Sequence, residues 1–219
     1  MTLLKFMLNG EVLILYLDVL NDNQRRLLLL FGNILKDTDF YLAGGTALAL
    51  QIGHRISVDL DWFVPVLGDT ENFLNLLKSY TNNFYITSIS SETVYLVIDN
   101  VQVSFIGYNY HDLQPKVKLN EYGIYLASPD DIACMKLSAI AGRGAKKDFV
   151  DLYFLIKYFR PLNTYIDLYV QKYNTRDVGH VIRSLVYFKD AEREPDVKML
   201  KDLSWNDLKR NFEIWVRKL

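Results

Sequence analysis

The stretch FYLAGGTALALQIGHRISVDLDWF, residues 40–63, decides how the rest of the chain is read. An apolar run suited to a buried strand, residues 40–43, ends on Gly44-Gly45-Thr46. A short helix is predicted from Thr46 to Ile52, closed by Gly53, and a second strand over residues 58–64 carries Asp59 and Asp61. Residues i and i+2 of a strand share a face, so the two aspartates would point one way while Leu60 and Trp62 pack the other way. Two carboxylates on one face repel and are costly to hold together without a cation. Mg²⁺ suits such a pair, because it takes one or two carboxylates together with phosphate oxygens. The glycines allow close backbone approach, and a helix starting at Thr46 aims free N–H groups at an anion. Alone, a Gly-Gly turn is commonly only a turn, and Asp-x-Asp a solvated strand end. On consecutive elements, with twelve residues between Thr46 and Asp59, they describe a triphosphate cradle beside a metal-binding edge. Phosphoryl and nucleotidyl transfer need that combination.

The rest of the chain sets bounds on this reading. Its 219 residues are enough for one large or two small domains, and 50% are apolar with 23% charged, as in a soluble globular protein. No apolar run reaches the length of a membrane span. The greasy first 20 residues are interrupted by Lys5, Asn9, Glu11 and Asp18 and do not read as a signal peptide. Cys134 is the only cysteine, so no disulfide framework forms within one chain and a cytoplasmic location is expected. With histidines only at 54, 111 and 180, a zinc site of the usual type is not expected. Residues 1–115 carry 6 Lys+Arg against 12 Asp+Glu, whereas residues 116–219 carry 19 against 14. The acidic part suits metal binding and the basic part a polyanion, although basic helix faces are often merely solvated.

Periodicity predicts a helix over residues 22–36 with Asp22 as cap, and another over 69–80. Strands follow at 84–90, 93–99 and 101–108, with Asp99-Asn100 as a hairpin turn. After Pro115 the character changes. A short strand at 124–127 precedes Ser128-Pro129-Asp130-Asp131, a helix-start signal. Helices are predicted over 129–141, 145–159, 161–173, 177–189 and 204–217. The expected fold is therefore α/β: a core over 1–115 with a small mixed sheet, then a mainly helical region over 116–219.

Gly44-Gly45-Thr46 followed by Asp59-x-Asp61 resembles the signature of the DNA polymerase β-type nucleotidyltransferase superfamily. The fuller wording of residues 40–63 is similar to its AbiEii/AbiGii toxin family. A second block, PDDIACMKLSAIAGRGAKKDFVDLYFL at residues 129–155, extends the likeness, which covers about residues 22–159. The resemblance implies that Gly44, Gly45 and Thr46 bind the triphosphate and that Asp59 and Asp61 hold Mg²⁺ or Mn²⁺. It implies that Lys136 meets the triphosphate, and that Lys147, Asp148 and Asp151 form a Lys-Asp-x-x-Asp motif near the active site. His54, Arg55 and Ser57 precede the aspartates and could contact nucleotide or acceptor; bracing of the loop by His54 and Arg55 is the alternative. Asp151 could equally pair with Lys147 one helical turn away.

Many members of the superfamily carry a third carboxylate on a later strand. Here Ser104 stands at the candidate position, and serine is a poor Mg²⁺ ligand and a poor base near neutral pH. Asp148 is the substitute candidate for the base, by analogy with the family motif. The resemblance implies transfer of a nucleoside monophosphate from an NTP to an acceptor, plausibly the tRNA 3′ end, by the toxin of a toxin–antitoxin or phage-defence pair. A cognate antitoxin is the implied protein partner, and no membrane partner is expected. Arg143 and Lys146, in the Gly-flanked run at residues 142–148, are further candidates for nucleic-acid contact on a flexible turn. Modification of a protein hydroxyl, or NTP binding without chemistry, are the competing classes.

Overall fold

The computed structural model describes residues 3–8 and 11–219, with side chains from residue 15 onward. The chain divides into two compact units. Unit 1 holds residues 1–51, 57–110 and 116–127; unit 2 holds residues 52–56, 111–115 and 128–219. The division departs from a single break after residue 115, because residues 116–127 build strands that pair into the sheet of unit 1.

In unit 1, β1 (Leu3–Leu8) and β2 (Glu11–Tyr16) form a separate antiparallel pair. The main sheet contains β3 (Tyr41–Ala43), β4 (Leu60–Val64), β5 (Phe84–Ile89), β6 (Thr93–Ile98), β7 (Val101–Gly107), β8 (Val117–Leu119) and β9 (Ile124–Leu126). Its order is β5-β6-β7-β4-β3-β9-β8, and it is mixed: β4 runs parallel to β7 and β3 parallel to β9, while the other pairs are antiparallel. Three-residue β8 is too short to stand out as a strand in the sequence. Its alternation is clear once folded, with Val117 and Leu119 buried and Lys118 exposed.

One face of the sheet is packed by α1 (Asp22–Ile34) and α3 (Thr70–Tyr80). Phe31 of α1 meets Trp62 at 5.3 Å and Phe105 at 5.4 Å between ring centroids, and Phe73 of α3 meets Phe105 at 4.5 Å. Such edge-on aromatic packing fixes the helices against Leu60, Trp62, Val103 and Phe105, all fully buried. The cap of α1 is Asn21, one residue before the expected Asp22. Its side chain accepts from the Gln24 N–H while the Gln24 side chain accepts from the Asn21 N–H. Asp69 caps α3. Asp99 and Asn100 both take positive φ, as a two-residue hairpin turn between right-twisted strands demands.

Unit 2 is helical: α4 (Pro129–Gly142), α5 (Lys146–Tyr158), α6 (Leu162–Tyr173), α7 (Gly179–Ser184) and α8 (Trp205–Val216). Ser128 caps α4, with Pro129 at its first position. The helix predicted over 177–189 is only α7. Beyond it the chain turns so that Phe188 can pack on Phe149, which also meets Trp205 and Phe212. Residues 111–115 are held to α4 by Asp131. Its carboxylate accepts from the Leu113 and Gln114 N–H groups and from Lys172 Nζ at 2.7 Å.

Candidate active site

In unit 1, β3 ends at Ala43 and α2 (Gly44–Ile52) starts at the next residue, two residues earlier than expected. Gly44 makes this corner with φ +67, a conformation costly for any residue with a Cβ. A second constraint acts at the same atom. A Cβ on Gly44 would lie 2.6 Å from Asp61 Oδ2. The backbone at the start of α2 and the carboxylate of β4 therefore leave no room for a side chain at position 44. Asp61 sits inside β4, opposite Ala43, and Asp59 immediately precedes the strand; both are half-buried. The Thr46 hydroxyl donates to the Asp59 carbonyl at 2.5 Å, and the Gln24 side-chain amide donates to the Ser57 carbonyl. Thr46 is buried, and its hydroxyl braces the segment that carries Asp59. Ser57 is likewise buried, its carbonyl taken by Gln24.

Ser104 of β7 pairs directly with Asp61 and donates its hydroxyl to Asp61 Oδ1 at 2.5 Å. The position of the expected third carboxylate is thus a hydrogen-bond donor that orients the second one. Two hard oxygen carboxylates, one fixed by Ser104 with its other oxygen beside Gly44, fit a divalent cation of the Mg²⁺ or Mn²⁺ kind that takes its remaining ligands from phosphate and water. Among the described residues no group of three or more His, Cys, Asp or Glu is placed to hold a metal.

In unit 2, most of the remaining candidates form one buried ionic cluster. Asp148 and Asp151 lie three residues apart on α5 and face Lys136 of α4. Asp151 Oδ1 accepts from His54 Nε2 at 2.7 Å and Arg55 Nε at 2.6 Å. Its Oδ2 accepts from Arg55 Nη2 at 2.8 Å and lies 2.6 Å from Lys136 Nζ. Asp148 accepts from Lys136 Nζ at 2.7 Å and from both ends of the Arg143 fork, at 2.7 and 3.0 Å. Burial raises the pKa of both carboxyls, but the cations outweigh it. The net shift is downward for Asp148 and well below the usual carboxylate range for Asp151. Burial likewise opposes charge on Lys136, and the two carboxylates overcome it and raise its pKa. Burial lowers the pKa of His54 more than Asp151 restores it, so the imidazole is neutral near pH 7 and donates from Nε2. Its buried Nδ1 has no hydrogen-bond partner among the described residues.

These contacts show what surrounds several of the candidates. His54 and Arg55 are buried and brace the segment before the aspartates. The His54 carbonyl accepts from the Leu200 and Lys201 N–H groups, and the Ile56 N–H donates to the Lys198 carbonyl. Asp151 turns its carboxylate to His54, Arg55 and Lys136. The Lys136 ammonium is enclosed by two carboxylates, 4% of the residue being exposed. Asp148 is fully buried with both oxygens bound by cations and its pKa lowered, which makes it a poor general base. The turn at residues 143–145 is tight. Gly144, at φ +61, donates to the Ala139 carbonyl, and Ala145 leads directly into α5. Lys146 is buried; its Nζ is held by the Glu194 carbonyl and Asp196 and lies over the Trp205 ring. Arg143, with a side chain 59% exposed, is where the ionic cluster reaches solvent.

A sequence profile described as nucleotidyl transferase AbiEii toxin, type IV toxin–antitoxin system, matches residues 26–214. An uncharacterized protein of Aquifex aeolicus (strain VF5), aq_aa25, is 40% identical over 159 residues, 71% of this chain and 77% of that protein. Among solved structures, JHP933 from Helicobacter pylori superimposes with a TM-score of 0.58 at 18% identity, covering 93% of this chain and 92% of that one. MenT4, a nucleotidyltransferase toxin from Mycobacterium tuberculosis H37Rv, superimposes with a TM-score of 0.56 at 16% identity, covering 90% and 83%. At these identities the two structures show a shared fold.

Proposed function

The chain belongs to the AbiEii family of nucleotidyl transferase toxins of type IV toxin–antitoxin systems and is an NTP-dependent nucleotidyltransferase, and from that premise we propose that it moves a nucleoside monophosphate from an NTP to the 3′ end of a tRNA. The observation that carries the site assignment is the approach of Gly44 to Asp61, a Cβ at 44 being 2.6 Å from the carboxylate. In this reading the first turn of α2 binds the triphosphate through the backbone N–H groups of Gly44, Gly45 and Thr46. Asp59 and Asp61 hold Mg²⁺, with Mn²⁺ able to substitute, and Ser104 fixes the Asp61 rotamer. When bound, the cation supplies charge neutralisation at the α-phosphate and the pyrophosphate leaving group. The acceptor hydroxyl oxygen bonds to the α-phosphorus as the bond from that phosphorus to the bridging oxygen breaks; pyrophosphate leaves with that oxygen, and the hydroxyl proton passes to solvent water.

The acceptor RNA also needs contacts to its phosphates. Arg143 and Lys147 are its proposed phosphate contacts, consistent with the excess of Lys+Arg over Asp+Glu in residues 116–219. The buried Lys136–Asp148–Asp151 cluster holds α4 and α5 together beneath Arg143. A cognate antitoxin is the proposed protein partner and the cytoplasm the proposed location. Among the described residues no helix is long and apolar enough to cross a membrane. Incubation with each NTP labelled at the α-phosphate, together with total RNA and total protein from bacterial cells, tests the acceptor class. Label in tRNA-sized RNA is expected; label confined to protein would replace tRNA with a protein hydroxyl.

A further inference from the structure

The strand register carries an observation that the metal edge does not use. Asp61 pairs with Ser104, Ser104 with Tyr95, and Tyr95 with Ser88, one straight row across β4, β7, β6 and β5. Directly paired residues share a face, and the Ser104–Asp61 hydrogen bond places their side chains on the same side. Tyr95 therefore stands on the face that carries Asp61. Two inter-strand steps of about 4.8 Å separate them, roughly 10 Å in all, the scale of a single nucleotide. One row away, Val97 of β6 pairs with Tyr85 of β5 on the same face. Tyr85 is diagonal to Tyr95, within reach of two adjacent aromatic side chains.

On β6 the two faces differ sharply, whereas the edge strand β5 is exposed on both, with Ile86 at 44% and Ile89 at 48%. Val94, Leu96 and Ile98 of β6 point the other way and are at most 1% exposed, whereas Tyr95 is 43% and Tyr85 61% exposed. Neither ring makes a hydrogen bond, aromatic pair or cation–π contact among the described residues, although most aromatic side chains of unit 1 are in such pairs. The row from Ser104 to Ser88 contains no charge, so nothing on it repels the edge of a base or binds a competing ion.

We propose that Tyr95, with Tyr85 beside it, is a stacking platform for the unpaired terminal bases of the RNA acceptor. This rests on the nucleotidyl-transfer reading of the Asp59/Asp61 edge. Exposed aromatic rings on a sheet surface hold single-stranded bases by stacking, which tolerates any base because each has a π-face. The platform begins one row step past Ser104, so a 3′-terminal nucleotide stacked on Tyr95 brings its ribose hydroxyls toward Asp61. Every single-stranded RNA end offers successive flat bases to two adjacent tyrosines, whereas a protein hydroxyl does so only where aromatic side chains flank it, which favours RNA.

The test measures binding of a short unstructured oligoribonucleotide by fluorescence anisotropy, with NTP affinity measured on the same samples. Tyr95→Ala weakens oligonucleotide binding about tenfold, the order expected for one stacked base. Tyr95→Phe stays near wild type, and NTP affinity is unchanged in both. Tyr85→Ala gives a smaller loss in the same direction. Equal oligonucleotide affinity in wild type and Tyr95→Ala overturns the platform. Wild type that binds NTP in an Asp61-dependent manner but binds no RNA also overturns it and leaves the transferase reading standing. Loss of Asp61 dependence in NTP binding, with stacking intact, overturns the metal edge instead.

Discussion

Asp151→Asn changes no volume and removes one charge, which makes it a sharp probe of the buried cluster. The carboxylate accepts from His54, twice from Arg55, and from Lys136, all at 2.6–2.8 Å, and none of it is exposed. An asparagine must turn its NH₂ toward either the His54/Arg55 side or the Arg55/Lys136 side, and every partner there is a donor. The substitution thus leaves one donor–donor clash and a guanidinium in the interior with no full counter-charge. Removing one partner of a buried pair costs about 3–5 kcal/mol. With an m-value of about 2.5 kcal/mol/M in urea, near the upper end for small domains, the midpoint falls by about 1.2–2 M. The assay is urea unfolding followed by far-ultraviolet circular dichroism, with Asp151→Glu as the charge-retaining control. A loss under 1 kcal/mol for Asp151→Asn would refute the claim that this cluster holds unit 2 together.

Gly44→Ala should cost about 1–2 kcal/mol for the positive φ alone and displace the Asp61 carboxylate; label transfer from NTP should fall at least a hundredfold while circular dichroism is retained. Ser104→Ala removes a hydrogen bond to a charged group, worth about 1.5–3 kcal/mol, so kcat should fall roughly tenfold or more with NTP affinity little changed, as steady-state kinetics will show. The His54 pKa is lowered on folding, so its contribution to stability is full above the unfolded value of about 6.5 and is lost as pH falls through the folded value. Urea midpoints should therefore drop below pH 6.5, and His54→Gln, which keeps a donor to Asp151 but does not titrate, should flatten that drop. The depressed pKa values of Asp148 and Asp151 act lower still, their contribution being lost only as pH falls below about 4.

The parts of the fold that a sequence exposes are those fixed by neighbours in the chain. Ser128-Pro129 as the opening of α4 and Asp99-Asn100 as a hairpin turn are local chemistry, and each stands where the residue types place it. The Gly-Gly-Thr and Asp-x-Asp pieces were legible for the same reason, since two short elements and a corner suffice to bring them together. The ionic cluster was not legible as a cluster. His54 and Arg55 find Asp151 across 97 and 96 residues, and nothing in the local pattern distinguishes a buried arginine from a ligand-binding one. Lys146 is a candidate for nucleic-acid contact by its place in a basic run, and its capture by Glu194 and Asp196, 48 and 50 residues on, is a tertiary event. The exposed face of Tyr95 escaped for a different reason. Alternation marks it as the outward side of a strand, but only the register of β4, β7 and β6 shows that this side is the one Asp61 occupies.

The most direct test of the central claim is transfer of α-labelled NMP to RNA in the presence of Mg²⁺ by wild type and by Asp61→Asn. Asp61→Asn keeps the side-chain shape and an oxygen to accept from the Ser104 hydroxyl, so circular dichroism should show it folded. The account predicts labelled RNA with wild type, loss of labelling on chelation of the metal, and no labelling above background with Asp61→Asn. Labelling by Asp61→Asn at the wild-type rate and saturating Mg²⁺ would contradict it.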